Sequence, residues 1–330
     1  MQVKSVGVIG AGAWGTALAL VAARAGHPVR LWARSAAAVT GLQGTRESAR
    51  LPGAALPASI LATSDPAAVT DCDTVLIAVP AQTLRAVMSS FVPHLTPGTR
   101  AVITAKGIEQ VTGRFMADVL MEAAPELEPL VLSGPSFAAD VARGLPTAVT
   151  LAARTLDIAR PVAEALNLPT FRPYLSDDLI GVQIGGAVKN VLAIACGAVA
   201  GRGLGESARA ALIARAFAEL TRFGRTLGAR PETLAGLSGL GDLVLTCASP
   251  TSRNYSLGVA LGQGRSASEA AAAAKGVSEG VSTAAAVASI AAARGIEMPI
   301  SSAVHDILSG RATIDTVIER LMQRPLKAED

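Results

Sequence analysis

The fold is decided by residues 3–32, which read VKSVGVIGAGAWGTALALVAARAGHPVRLW. A β-branched run ends at Ile9, and a glycine turn with the spacing G-x-G-x-x-G follows over residues 10–15. Residues 16–25 then favour a helix, and residues 29–32 read as the next strand. This order of strand, glycine turn, helix and strand predicts the first part of a Rossmann-type, doubly wound parallel sheet.

Each of the three glycines in the turn has a physical reason in a dinucleotide site. Gly10 allows the tight turn, Gly12 lets the backbone approach a pyrophosphate, and Gly15 lets helix and strand pack closely. The helix N-terminus that follows offers unpaired N–H donors to the phosphates. We therefore expect a dinucleotide to bind here; a glycine-rich turn without a ligand is the alternative.

The end of the second strand bears on the choice of coenzyme. A site for NAD usually has an acidic residue there, which bonds the ribose 2′-hydroxyl. In this chain the strand ends at Trp32, and the charged residue that follows is Arg34. Because a guanidinium can pair with a 2′-phosphate and stack on the adenine, we expect NADPH/NADP to be preferred over NADH/NAD, whose use is left open.

Further apolar runs predict more strands of the same sheet, and the loops after them predict ligand contacts. Lys106 follows one of these strands directly, where the carboxyl ends of parallel strands face the ligand crevice; a surface lysine is the alternative. Gly134, Ser136 and Ala138 lie in a loop of small residues with exposed N–H groups. Residues 41–60 are irregular and predict only a loop or short helix. The predicted strands cover residues 73–80, 100–104, 130–133, 147–152 and 171–175.

A second decisive stretch is residues 179–201, which read LIGVQIGGAVKNVLAIACGAVAG. A helix that is apolar on nearly every face belongs inside a protein. A membrane span, which needs about 20 mostly apolar residues, is the alternative, but Gln183, Lys189, Asn190 and several glycines interrupt the run. We therefore predict a buried helix.

Lys189 is the unusual residue of this helix. An ammonium in apolar surroundings is costly unless a partner or a function holds it. The basic residues of the chain are mostly arginine, and a lysine, unlike an arginine, can release its proton in a suitable pocket. We expect Lys189 to transfer a proton; a structural lysine that reaches solvent along its apolar stem is the alternative.

Beyond residue 178 the pattern is helical. Asp242 stands among apolar neighbours in residues 234–247 and is a candidate partner for Lys189, or else an N-cap acid. Residues 251–254 place an arginine, an amide and hydroxyls before a helix, as a phosphate monoester requires; an ordinary surface pair is the alternative. Residues 277–281 predict a break. The predicted helices cover residues 207–227, 257–262, 267–275, 283–294 and 301–308.

The totals limit the class of protein. A chain of 330 residues suits two domains, which we place at residues 1–178 and 179–330. A net charge of +3 without basic runs gives no support to a nucleic-acid partner. Three unpaired cysteines predict free thiols and no metal site. Because no signal peptide precedes the first strand, we expect a cytoplasmic protein.

Seven motifs, in this order, make the chain resemble the bacterial NAD(P)-dependent glycerol-3-phosphate dehydrogenases along nearly its full length. Their specificity lies in their number and order. The motifs are GAGAWGTALA at 10–19, TAKGIE at 104–109, SGPSFA at 133–138, GVQIGGAVKN at 181–190, GLGDLVLTC at 239–247, TSRNYSLG at 251–258 and VSEGV at 277–281. One position departs from many relatives: Ala13 stands where they have serine, which leaves only a backbone contact there.

The resemblance implies the interconversion of dihydroxyacetone phosphate and sn-glycerol 3-phosphate, which supplies glycerophospholipid synthesis, with Lys189 as proton donor and acceptor. It also implies two sets of contacts, with a homodimer left open. The residues expected to bind substrate are Lys106, Gly134, Ser136, Lys189, Asn190, Asp242, Thr246, Ser252, Arg253 and Asn254. Those expected to bind coenzyme are Gly10, Gly12, Ala13, Trp14, Gly15, Arg34, Lys106, Ala138, Arg253, Val277 and Glu279.

Two other functions stay open at this point. Related dehydrogenases that act on 3-hydroxy acids also carry a Lys-Asn pair on a central helix. A non-catalytic NADPH sensor would bind the coenzyme without turning over a substrate. Initial rates with dihydroxyacetone phosphate and with hydroxy acids separate these functions from the one implied by the resemblance.

Overall fold

The computed structural model describes residues 3–273, 276–326 and 328, and its chain divides into two compact units. The first unit comprises residues 1–105 and 115–179, and the second comprises residues 106–114 and 180–330. Residues 106–114 follow a strand of the first unit in the chain but belong to the second. The domain boundary expected at 178/179 stays a prediction.

The first unit is built on ten strands, eight of which form one sheet. The strands are β1 Val6–Ile9, β2 Val29–Trp32, β3 Glu47–Ser48, β4 Leu51–Ala55, β5 Ile60–Thr63, β6 Thr74–Ile77, β7 Arg100–Ile103, β8 Glu128–Ser133, β9 Thr147–Ala152 and β10 Phe171–Ser176.

The eight-stranded sheet has the order β10-β9-β8-β7-β6-β1-β2-β5. From β5 to β8 all neighbours are parallel, which is the strand order of a dinucleotide-binding sheet. β9 then pairs antiparallel with β8, and β10 runs parallel to β9. The prediction of a doubly wound sheet is confirmed.

The described residues also form sixteen α-helices, distributed over the two units. They are α1 Ala13–Arg24, α2 Ala36–Thr45, α3 Pro66–Thr70, α4 Leu84–Phe91, α5 Met116–Ala123, α6 Ala138–Arg143, α7 Leu156–Leu166, α8 Leu179–Gly201, α9 Glu206–Thr226, α10 Pro231–Ala235, α11 Asp242–Ala248, α12 Arg253–Gly262, α13 Ala267–Ala273, α14 Glu279–Arg294, α15 Pro299–Leu308 and α16 Ile314–Met322. Among the described residues no strand follows β10, so the second unit is helical as predicted.

Several predicted bounds were wrong, for identifiable reasons. The irregular stretch 41–60 contains the hairpin β3–β4, whose strands are too short to show an alternating pattern. α12 begins four residues earlier than predicted because the Ser252 hydroxyl caps it by accepting a hydrogen bond from the Tyr255 N–H. α14 likewise begins at Glu279 rather than residue 283. The predicted helix 267–275 is seen as α13; positions 274 and 275 lie outside the described residues.

The central helix α8 has the predicted bounds. It is long and apolar enough to cross a membrane, but 83% of its most apolar 18-residue window is buried within the described part of the chain. That burial is the mark of a core helix, as expected from its sequence.

α8 and α12 cross with their backbones in contact. A Cβ atom added at Gly197 of α8 would overlap the Tyr255 carbonyl oxygen of α12, and one added at Gly258 of α12 would overlap the Ile194 carbonyl oxygen of α8. Both positions therefore require glycine. The crossing fixes α12, which carries residues 253 and 254, against the helix that carries Lys189.

We predict that Gly258→Ala lowers the free energy of unfolding by about 3 kcal/mol, because a methyl group cannot enter this crossing without separating the helices. Urea unfolding followed by circular dichroism measures the change. The matched control is Gly41→Ala in α2, where a Cβ atom would meet no atom within 4 Å; there the free energy should stay equal or rise. Equal stability of Gly258→Ala and the unmodified protein would contradict the close crossing.

Candidate active site

The glycine turn of the first unit has the form that a dinucleotide needs. α1 begins at Ala13, and its N-cap residue Gly12 supplies no side-chain cap, so the first N–H groups of α1 remain available. A Cβ atom at Gly12 would meet nothing within 4 Å, whereas one at Gly15 would overlap the Gly10 carbonyl oxygen. The turn is therefore open on the side of Gly12 and close-packed at Gly15, which fits a bound pyrophosphate.

Two other residues expected to bind coenzyme are Trp14, within the turn, and Arg34, after β2. The indole Nε1 of Trp14 is buried and has no hydrogen-bond partner among the described residues, so a polar group of a ligand could satisfy it. Arg34 follows β2 and is exposed. These placements agree with a nucleotide bound at this turn, and the individual contacts stay predictions.

The loop after β8 holds the small residues predicted to meet a ligand. Gly134 has φ +141° and a Cβ atom there would lie 2.9 Å from the Val149 Cα, so the loop needs glycine. The Ser136 hydroxyl donates to the Gly134 carbonyl at 3.0 Å, and Ala138 is the first residue of α6. The loop is thus held by its own contacts.

The second unit holds the chemistry in a cluster of two lysines on one carboxylate. Lys189 Nζ lies 2.7 Å from Asp242 Oδ1, and Lys106 Nζ lies 2.7 Å from Asp242 Oδ2. Lys189 Nζ also donates to the Thr246 hydroxyl at 2.7 Å. Asp242 is 1% exposed and Lys189 is 6% exposed. The predicted pairing of Lys189 with Asp242 is confirmed.

The surroundings of Lys189 tune its proton affinity. Burial lowers the pKa of its ammonium to about 8, and the Lys106 charge adds to this decrease. The adjacent Asp242 carboxylate acts in the opposite direction and raises the pKa. Lys189 therefore exchanges a proton near neutral pH, as proton transfer requires.

The alternatives for three of these residues are wrong. Lys189 does not reach solvent along its stem, because its side chain is 8% exposed. Lys106 is not a surface lysine, since its ammonium is held by Asp242 and its side chain is 16% exposed. Asp242 is not an N-cap: Gly241 occupies that position, and the carboxylate is bound to the two ammonium groups.

Local structure brings Asp242 and Thr246 to the same amine. They are four residues apart on α11, so their side chains lie on one face of the helix. A π-helical turn, Leu237–Gly241, leads into α11, and such turns recur at functional sites.

The predicted phosphate-binding residues stand at the N-terminus of α12, and each has a different environment. The Ser252 hydroxyl is engaged as the helix cap. Arg253 is exposed, with its guanidinium against Gly276, where a Cβ atom would lie 3.1 Å from Nη1. Asn254 is buried and its amide is engaged at both ends, by Asn190 and by the Gly280 N–H. Arg253 thus offers a guanidinium to a ligand at a helix N-terminus.

Contacts of Asn190 and Glu279 were missed from the sequence. The Asn190 amide donates to the Lys106 carbonyl at 2.8 Å, and a Glu279 carboxylate oxygen accepts the Lys106 N–H at 3.0 Å. These residues are 84 and 173 positions from Lys106 in the chain, and no local pattern relates positions so far apart. Val277, two residues before Glu279, is 50% exposed.

The three cysteines are free, as predicted, and all three are buried. The thiols of Cys196 and Cys247 are hydrogen-bonded to each other, which, together with burial, raises the pKa of Cys247 well above its usual range. The Cys247 thiol is therefore protonated and unreactive at neutral pH.

Comparison with known proteins identifies the family of both parts of the chain. Residues 5–159 match the family profile for the NAD-dependent glycerol-3-phosphate dehydrogenase N-terminus, and residues 178–319 match that for its C-terminus. The chain is 58% identical over 327 residues to a glycerol-3-phosphate dehydrogenase (NAD(P)+) from Bradyrhizobium sp. strain BTAi1, covering 99% of each chain. Against the protein of that name from Caulobacter vibrioides it is 55% identical over 330 residues, covering 100% of each.

A solved structure shows the same fold. The crystal structure of glycerol-3-phosphate dehydrogenase from Coxiella burnetii superposes with a TM-score of 0.93 at 39% identity, covering 97% of this chain and 99% of that one. The matched profiles cover more than half of the chain, and the identities extend over nearly all of it. The chain therefore belongs to the NAD-dependent glycerol-3-phosphate dehydrogenase family.

Proposed function

We propose that this protein is an NAD(P)-dependent glycerol-3-phosphate dehydrogenase, which interconverts dihydroxyacetone phosphate and sn-glycerol 3-phosphate. The observation that carries the proposal is the buried Lys189 amine, held between Asp242 and Thr246 with a pKa of about 8. The name of its relatives gives the same reaction. A buried amine that titrates near neutral pH is the proton donor that reduction of a ketone needs.

Lys189 would act in both directions of the reaction. During reduction, negative charge builds up on the ketone oxygen, and the Lys189 ammonium stabilises this charge and delivers a proton to it. During oxidation, the neutral Lys189 amine accepts the hydroxyl proton of glycerol 3-phosphate. Thr246 and Asp242 fix the position of the amine by their two bonds of 2.7 Å.

The phosphate of the substrate has a candidate anchor at α12. Arg253 is exposed at the helix N-terminus, where a guanidinium and oriented N–H groups favour a phosphate. Binding of the phosphate would orient the carbonyl group and so contribute to catalysis. This anchor favours a phosphorylated substrate over a simple 3-hydroxy acid.

The glycine turn of the first unit would hold the coenzyme, with Gly12, the N–H groups at the start of α1, and Arg34 near the adenosine ribose. When bound, NAD(P)H supplies the hydride that reduces the substrate. Because Arg34 is exposed after β2 in place of an acidic residue, we infer a preference for NADPH. The family relationship supports catalysis over a non-catalytic sensor of the coenzyme.

The wider role follows from the reaction. We place the enzyme in the cytoplasm, where glycerol 3-phosphate would supply glycerophospholipid synthesis. The family membership supports this role. A homodimer stays a prediction, which sedimentation velocity tests directly.

The direct test is an absorbance assay of NADPH and NADH oxidation with dihydroxyacetone phosphate. We predict that Lys189→Met lowers kcat by roughly three powers of ten, because the variant has no proton donor at this position. Lys4→Met, at an exposed lysine, is the control and should keep full activity. No turnover of dihydroxyacetone phosphate by the unmodified protein would refute the function, and an active Lys189→Met variant would refute the role of the lysine.

The pH dependence follows from the pKa of about 8. Oxidation of glycerol 3-phosphate needs the neutral amine, so kcat should rise with pH and reach half of its plateau near pH 8. Asp242 raises the pKa of Lys189, so Asp242→Asn should move this midpoint to lower pH, whereas Asp315→Asn, in an exposed ion pair, should leave it unchanged. Initial rates between pH 6 and 10 measure both midpoints. A midpoint that moves upward in Asp242→Asn would contradict the assignment.

Arg253 is tested through its effect on binding. We predict that Arg253→Ala raises KM for dihydroxyacetone phosphate by roughly ten- to a hundredfold, the range expected when a charged hydrogen bond is lost. The control is Arg265→Ala, which removes an exposed arginine after the other end of α12. Equal activity of the unmodified protein on dihydroxyacetone and on its phosphate would contradict the anchor.

Coenzyme choice is tested at Arg34. We expect Arg34→Asp to lower the ratio of kcat/KM for NADPH to that for NADH by about tenfold or more, since a carboxylate repels a 2′-phosphate and can bond a 2′-hydroxyl. Kinetics with both coenzymes at saturating substrate give the ratio. An unchanged ratio would show that Arg34 does not select the coenzyme.

A further inference from the structure

The side-chain amides of Asn190 and Asn254 form a chain that we call the amide relay. Asn254 Nδ2 donates to Asn190 Oδ1 at 2.9 Å, and Asn190 Nδ2 donates to the Lys106 carbonyl at 2.8 Å. At the other end, Asn254 Oδ1 accepts the Gly280 N–H at 3.1 Å. Asn190 is 6% exposed and Asn254 is 8% exposed. The relay thus connects α8, α12 and the first turn of α14 to one peptide group.

The first turn of α14 also contacts the Lys106 main chain directly and so completes a ring of contacts. Glu279 precedes Gly280, and its Oε2 accepts the Lys106 N–H at 3.0 Å. The main chain of Lys106 is therefore held on both sides, by Glu279 at its N–H and by Asn190 at its carbonyl. Because the side chain of Lys106 starts from this fixed backbone, its ammonium is directed to Asp242 Oδ2.

Close packing makes the closed arrangement depend on Gly280. A Cβ atom there would lie 2.6 Å from the Asn190 carbonyl oxygen and 2.8 Å from Asn254 Oδ1. The first turn of α14 therefore approaches the relay as closely as backbone atoms permit. This contact also explains why a glycine stands inside the first turn of a helix.

We propose that Asn190 and Asn254 are positioning residues, which act through Lys106 by holding its main chain so that its ammonium stays on Asp242 beside Lys189. The inference rests on the proposed function. The relay uses the Asn254 oxygen and one of its two N–H donors, so it adds a positioning role to the substrate contact that the resemblance implies for Asn254.

A double-mutant cycle between Asn254 and Lys106 separates the two roles. Lys106→Met removes the ammonium but keeps the main-chain N–H and carbonyl. The relay therefore persists in this variant, but it no longer has an ammonium to position. At saturating substrate and coenzyme, Asn254→Ala should lower kcat by roughly ten- to a hundredfold, the effect of a misplaced catalytic group. In the Lys106→Met background the same change should lower kcat by less than about twofold, because the two residues act as a unit.

The pH profile gives a second readout. The charged or titratable groups that act on the Lys189 ammonium are Asp242, Lys106 and the Cys247 thiol, and of these Lys106 lowers its pKa. Displacing the Lys106 ammonium should therefore move the midpoint for oxidation of glycerol 3-phosphate to higher pH. Asn254→Ala and Lys106→Met should shift it in the same direction, and the double variant should shift it no further than Lys106→Met alone.

Thr283→Val serves as the matched control, because it alters a buried side chain of α14 whose hydroxyl has no partner among the described residues. It should leave kcat and the midpoint unchanged. If Asn254→Ala does not fold, Glu279→Ala and Glu279→Gln replace it. The glutamine can still accept the Lys106 N–H, so at saturating coenzyme its kcat should exceed that of the alanine variant when Lys106 is present. In the Lys106→Met background the two variants should have equal kcat.

Two results would overturn the proposal. One is additive losses of kcat in the cycle, which would show that Asn254 acts independently of Lys106. The other is an equal loss in Glu279→Gln and Glu279→Ala. Failure of the unmodified protein to turn over dihydroxyacetone phosphate would instead refute the function on which the cycle depends.

Discussion

The second unit depends on one carboxylate that serves two ammonium groups. Asp242 is almost fully buried, and each of its oxygens lies 2.7 Å from a lysine nitrogen. Without it, two positive charges would face each other in apolar surroundings, and breaking such a buried pair typically costs about 3–5 kcal/mol. The carboxylate therefore permits the lysines to stand together, while burial keeps the proton of Lys189 easy to lose.

The two units offer different kinds of polar group, because the first is built on a sheet and the second on helices. In the first unit, β1 ends at the glycine turn, where backbone N–H groups are the hydrogen-bond donors for a ligand. The second unit relies on side chains that project from helices, so their positions depend on how those helices pack. This explains why glycines dominate the candidate coenzyme site of the first unit and why paired polar side chains dominate the lysine cluster of the second.

Features that depend on local chemistry could be predicted from the sequence. The glycine turn, the bounds of α8 and the pairing of Lys189 with Asp242 follow from spacing, hydropathy and the cost of a buried charge. The hydrogen bonds between Asn190 and Asn254 could not be predicted, since they join residues 64 positions apart. The start of α14 was missed because Gly280 resembles a helix breaker, although it is required by the approach of α14 to Asn190.

A buried polar contact also lies outside the catalytic cluster. Glu219 of α9 accepts the N–H groups of Ile300 and Ser301 at the start of α15, and burial raises its pKa to about 7. Sequence periodicity placed this residue on a helix but not beneath another helix N-terminus. The same limit applies throughout the second unit, where tertiary partners decide the role of each polar residue.

The glycine contacts between α8 and α12 have a consequence for how this enzyme can change. At Gly197 and Gly258 the α-carbon of one helix contacts a carbonyl oxygen of the other. Because no side chain lies between the backbones at these points, a movement of one helix cannot be accommodated by a change of rotamer there. The crossing therefore fixes the spacing between Lys189 on α8 and Arg253 at the start of α12. A change in that spacing would have to come from the loops that flank α8 and α12, because the contact between the helices is made by backbone atoms.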